Sequence, residues 1–161
     1  MRISDWRLHA KNMIGAKSKR KLVVFAVDDY GNVRVDSKIA IEKMQKEGIK
    51  IKSRFDYFDS LETPDDFTEL FQTLDSVRDK NGRPAVFTCF SLSANIDFEK
   101  VIENGLPEYI YEDLNQTYAK LKGYQSMQDL WKEGISNRFL SPEFHGREHL
   151  NIRYFEEAIS K

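Results

Sequence analysis

One cysteine, Cys89, is all the chain contains. No internal disulfide can form, so oxidative staples play no part in the fold. Cys89 lies in the apolar run AVFTCF, which predicts a buried structural thiol and not a nucleophile. An excess of either charge is missing too. Lys plus Arg number 25 and Asp plus Glu 26, for a net charge of -1. That balance gives no reason to expect nucleic acid or an anionic membrane as a partner. The basic run Lys17-Ser18-Lys19-Arg20-Lys21 directly precedes an apolar strand and reads as a solvated loop. No apolar stretch approaches the roughly 18 residues of a membrane span, so no transmembrane helix is expected. The amino-terminal MRISDWRLHAKNMIG has no uninterrupted hydrophobic core and no small-residue cleavage site. It does not read as a signal peptide, which leaves the localisation open, with the cytoplasm as the default. Repeats, linkers and low-complexity segments are absent as well.

What is there fits one soluble α/β domain over residues 1–161, with 40% hydrophobic and 32% charged residues. KLVVFAVDD (21–29) is an unbroken apolar run of the kind buried on both faces of a parallel sheet. DSKIAIEKMQKEGI (36–49) carries Ile39, Ile41, Met44 and Ile49 at roughly helical spacing, with Asp36 or Ser37 as cap and Gly48 as stop. IKIKSRFDYF (49–58) alternates and predicts a second strand. Residues 63–82 predict a helix capped by Thr63, with Pro64 in its first turn and Phe67, Leu70, Phe71, Leu74 and Val77 as its buried stripe. PAVFTCFSL (84–92) is a third strand, 93–115 reads as irregular, and 117–135 is helical with a break near Gly123. NRFLSPEF (137–144) is a fourth strand, followed by a helix over 148–160. About four parallel strand–helix repeats therefore make up the expected sheet.

Function in such folds gathers at the carboxyl ends of the strands. Asp28 and Asp29 end the first strand, His145 ends the fourth, and His149 follows within one turn. A carboxylate with two imidazoles suits zinc or a similar divalent ion and leaves positions open for water. The second acid of the pair is then placed to take a proton from that water. Two adjacent carboxylates resist joint ionisation in a dry site, and a cation removes that penalty. Each half has a plainer reading alone: an Asp-Asp pair can serve a turn, and two histidines four apart can be solvated. Their shared end of the sheet is what joins them. His9 lies in a polar segment without a ligand at useful spacing and reads as surface.

Two rival motifs fit less well. HGREH matches H-x-x-E-H of inverted zinc proteases, but Pro142 and Gly146 disfavour a helix through His145. Glu148 then reads as a first-turn helix acid and Arg147 as a solvated rim residue. A receiver-type signalling domain would also use an acidic pair. It needs an aspartate ending its third strand, where this chain has FTCFSL.

AVDDYG, RPAVFTCF and the His145/His149 pair together resemble the polysaccharide deacetylase (NodB-homology) superfamily, including the branch related to YdjC-type sugar deacetylases. The resemblance runs along nearly the whole chain from residue 21. It implies a metal-dependent hydrolase that removes acetyl groups from a carbohydrate. It further implies that Asp28 is the general base and that Asp29, His145 and His149 bind the metal, zinc by preference. The expected fold resembles the amino-terminal part of an irregular (β/α)7 barrel, incomplete at the carboxyl terminus. An acetylated carbohydrate is the implied partner, and the open apolar sheet leads us to expect self-association. The chain alone is expected to bind metal and to turn over weakly or not at all. The alternative is a non-catalytic, truncated deacetylase-like module that binds glycan or a partner chain or, behind it, a receiver-type signalling domain.

Overall fold

The structure is a computed structural model that describes residues 14, 19, 21–35, 37–51, 53–58, 60–105 and 108–160. Strand β1 (Phe25–Tyr30) is followed by helices α1 (Lys38–Lys46), α2 (Arg54–Phe58) and α3 (Pro64–Ser76). Then come β2 (Phe87–Leu92), β3 (Ala94–Ile96), α4 (Phe98–Glu103), β4 (Tyr111–Asp113) and α5 (Leu114–Lys120). Helix α6 (Met127–Ser136), β5 (Leu140–Gly146) and α7 (Ile152–Ile159) complete the order. Strands β1, β2 and β5 form a parallel sheet in the order β1-β2-β5, and β3 and β4 pair antiparallel. The protein is thus α/β with a three-stranded parallel sheet and a small antiparallel pair. No closed barrel is present among the described residues. Nor is any helix there long and apolar enough to cross a membrane.

The expected second strand is a correction. Arg54–Phe58 is helical, and Ser53 and Asp56 explain why. Ser53 Oγ accepts from Phe55 N–H (3.1 Å), and Asp56 Oδ2 accepts from Ser53 N–H (3.3 Å). These local bonds satisfy backbone groups that a strand would have sent to a neighbour. The sheet therefore has three parallel strands and not four. Strand β1 lies at an edge of the sheet, and its apolar run is not buried on both faces as expected. Leu22, Val23 and Val24 are 68%, 79% and 75% exposed.

Other boundaries moved for similar local reasons. Thr63 and Asp66 form a reciprocal cap at the start of α3. The helix stops at Ser76, before its expected end, because Asp79 gathers the N–H groups of Asn81 (2.7 Å) and Arg83 (3.0 Å) into a turn. Val77 is consequently exposed. Ser37 caps α1 through Ala40 N–H, while Asp36 lies outside the described residues. Of the α1 stripe, Ile41 is buried and Ile39 and Ile49 are exposed. The break near Gly123 separates α5 from α6, with Gly123 at φ 91°. Residues 93–115, expected to be irregular, hold β3, α4 and β4; residues 106 and 107, part of the expected break there, lie outside the described residues.

The core sits between one face of the sheet and helices α3, α5 and α6. Phe67, Phe71, Leu74, Tyr118 and Met127 pack there against Cys89 and Leu140. Fully burying a ring such as Phe67, 1% exposed, stabilises the fold by about 1.5–3 kcal/mol. Cys89 is buried as expected, and burial pushes its thiol up to about 12. Helix α6 approaches the sheet closely at Gly134, where a Cβ would lie 2.6 Å from Leu140 Cδ1 and 2.7 Å from Phe71 Cζ.

Candidate metal centre

The end of β1 is bent by its own residues. The register with β2 shifts between Val27 and Tyr30. Asp29 takes the left-handed conformation, φ 65°, and Asn32 N–H closes a turn on its carbonyl at 3.1 Å. The next side chain, Tyr30, points into the core and meets Phe67, Phe87 and Trp131 edge to face. Burial raises the Tyr30 phenol well above its usual range, with the Cys89 and Glu62 charges adding to the shift. Asp29 is left on the side away from these rings.

Two other segments deliver the imidazoles. His145 sits in β5, and its ring meets Phe90 of β2 edge to face at 6.0 Å. His149 follows a loop fixed by the Arg147 carbonyl, which accepts from Ser93 N–H (3.1 Å) and Ala94 N–H (2.7 Å). Helix α7 then begins with Asn151 as cap, accepting from Tyr154 N–H at 3.1 Å. The expected reading of Glu148 as a first-turn acid is thereby corrected. It precedes the helix and pairs with the Arg147 guanidinium. Arg147 also lies over the Tyr111 ring at 4.4 Å, so it is engaged and not merely solvated.

Asp29 Oδ1 lies 3.4 Å from His145 Nε2 and 3.3 Å from His149 Nδ1. The three donor atoms fall within 4.8 Å of one another. Oδ1 is buried, yet neither imidazole is directed to hydrogen-bond it. Such an orphaned acceptor has a real desolvation cost. A tetrahedral ion with bonds of about 2.0–2.1 Å sets neighbouring donors about 3.3–3.4 Å apart. Both Asp29–imidazole distances match that spacing and the two imidazole donors lie within 4.8 Å of each other, so the group could hold a divalent ion. The side chains of Asp29, His145 and His149 are 20%, 30% and 57% exposed, which leaves the group open to solvent.

Asp28 stands outside this group. It is exposed on the edge strand, and its carboxylate has no partner among the described residues. His9 lies outside the described residues. Arg34 was not anticipated. Its guanidinium is 3.6 Å from Asp29 Oδ2 and 3.7 Å from Asp56 Oδ1. A cleft of about 430 Å³ opens beside the group, lined by Asn32, Arg34, Asn95, Phe98, Glu148 and His149 among others. Nothing in the spacing of GNVRVDS marks Arg34, because an arginine in a polar loop has no periodic signal.

Fold and site together define an α/β protein with a carboxylate–imidazole group at the carboxyl ends of its parallel strands. Set beside known protein families, curated proteins and solved structures, the chain matches none.

Proposed function

We propose that the protein is a metal-dependent hydrolase of the polysaccharide deacetylase type, removing acetyl groups from a carbohydrate. The observation that carries this reading is the convergence of Asp29, His145 and His149 around a buried, unpaired carboxylate oxygen. A divalent ion held by these residues would supply Lewis acidity toward an acyl carbonyl. Asp28, next in the chain to Asp29 and without a partner among the described residues, is the residue to accept a proton. The neighbouring cleft offers a polar wall with Asn32 and Arg34 and an exposed Phe98 ring, a mixture suited to a sugar. The finer fold reading belongs to the same proposal: the three parallel strands correspond to the amino-terminal strands of an irregular (β/α)7 barrel.

Calorimetric titration with Zn²⁺, followed by acetate release from N- and O-acetylated oligosaccharides, tests the reading. One ion per chain should bind, and Asp28→Asn should retain it while lowering acetate release by about 10²–10⁴-fold. Absence of stoichiometric binding overturns the reading. A second reading is favoured by the position of Asp28 outside the donor group. The protein is then a non-catalytic module that binds glycan or a partner chain, and it holds zinc and glycan with no acetate release.

A further inference from the structure

Gly31, two residues beyond Asp29, is held from both sides by side chains from distant parts of the chain. Its N–H donates to Glu62 Oε2 at 3.0 Å. Its carbonyl accepts from Asn95 Nδ2 at 2.9 Å. Asn95 Oδ1 accepts in turn from Val33 N–H at 2.9 Å, so one amide spans the turn. Neither gripping residue is free to drift. Glu62 Oε1 accepts from the Tyr118 hydroxyl (2.6 Å), which accepts from Trp131 Nε1 (3.2 Å). Asn95 is 5% exposed, and its amide also reaches Thr117 Oγ1 at 3.3 Å. Gly31 itself has no room for a side chain, since a Cβ would lie 2.9 Å from Leu114 Cδ2 and 3.2 Å from the Leu92 carbonyl.

This grip has a chemical consequence, because the turn it fixes starts at Asp29. A left-handed aspartate is unfavourable unless its surroundings impose it. Partners behind a metal ligand orient it, and their loss weakens metal binding without touching the ion. The geometry points to Glu62 and Asn95 as positioning residues that hold the Asp29 turn, and hence its carboxylate, toward His145 and His149. The inference rests on the reading of those three residues as metal ligands.

The test is Zn²⁺ affinity of the full chain, with folding of each variant checked by far-ultraviolet circular dichroism. The unmodified protein must bind one ion; if it does not, the metal reading and this inference fall together. With binding established, Glu62→Leu and Asn95→Leu should each weaken it by about 10–100-fold. Glu62→Gln retains an acceptor for Gly31 N–H and should restore affinity. Leu74→Ala, a core change away from the turn, should lower thermal stability and leave affinity intact. Unchanged affinity in folded Glu62→Leu and Asn95→Leu overturns the inference while the metal reading stands. An equal loss of affinity in Leu74→Ala also overturns it, since the effect would then be general destabilisation. If a leucine variant does not fold, Asn95→Asp decides. It keeps the acceptor for Val33 N–H and loses the donor to Gly31. Weakened binding supports the grip, and native binding overturns it.

Discussion

Cys89 and Phe90 are neighbours in β2, and they look out on different worlds. The Cys89 side lies under α3, α5 and α6, where Phe67 and Trp131 meet at 5.0 Å and Phe71 stacks on Phe139 at 5.4 Å. Helix α6 presses in so far that Gly134 has no space for a methyl group. On the Phe90 side the sheet carries the Asp29, His145 and His149 donors. One side is determined by area and shape, where rings of about the right size fill a space. The other is determined by the direction of a few polar atoms. Errors on the first side cost stability, whereas errors on the second cost binding and leave the fold standing.

The sharpest break in that comparison is at the donors. His149→Ala and His145→Ala should each abolish stoichiometric zinc binding, because Asp29 and one remaining imidazole make a poor site. The melting temperature without metal should hardly move, since both side chains are substantially solvated. Equilibrium dialysis beside thermal melts separates the two. A variant that keeps the ion, or that unfolds, would erase the distinction between the two sides.

The converse change is Phe71→Ala. Phe71 is 6% exposed and touches both Phe67 and Phe139. Its loss should destabilise the protein by about 3–5 kcal/mol, measured by urea unfolding. The folded fraction should bind zinc as before.

A smaller effect is expected at the open sheet edge. Exposed apolar surface can mark an interaction site, and β1 has no strand partner on its outer side among the described residues. Sedimentation should show a dimer or larger species, shifted toward monomer by Phe25→Lys. A monomer at every concentration would mean that the apolar edge is tolerated bare.

How much of this was legible in the sequence follows the same division. Thr63-Pro64 announced α3, and Phe67, Phe71 and Leu74 announced its buried face, because capping and periodicity are local. The alternation of 49–58 misled, since the side chains of Ser53 and Asp56 outweigh a pattern that has no strand to pair with. Residues 93–115 hid a two-stranded pair whose strands are three residues each, too short for any period to show. At the site, residue types and strand ends pointed to Asp29, His145 and His149. Glu62, Asn95 and Arg34 left no such trace, for their roles depend on the path of the backbone at Gly31 and Asp29. Isolated polar residues become meaningful only once that path is known.

The finest test of a polar cluster concerns Asp97, which is 1% exposed beside the small antiparallel pair. It caps α4 through Lys100 N–H (3.1 Å) and pairs with Lys100 Nζ (3.0 Å) and Lys120 Nζ (3.1 Å). Glu99 and Glu112 share Lys120, so the cluster holds like charges as well. Burial alone would raise the Asp97 carboxyl, but the Lys100 and Lys120 donors outweigh it and hold it at about 2, below its ordinary 3.8. A depressed folded value means that the carboxylate stabilises the native state above its ordinary value, and that this contribution fades as pH falls toward 2. Stability should therefore drop on acidification through this window, with a share from Asp97 of about 1 kcal/mol, modest because both lysines reach solvent. Asp97→Asn keeps an acceptor for the α4 cap and removes the titration. Urea unfolding at pH 5 and pH 3 should show the variant losing less stability than the unmodified protein over that interval. Equal losses would mean that the lysines are satisfied by Glu99 and Glu112 and that Asp97 serves the cap alone.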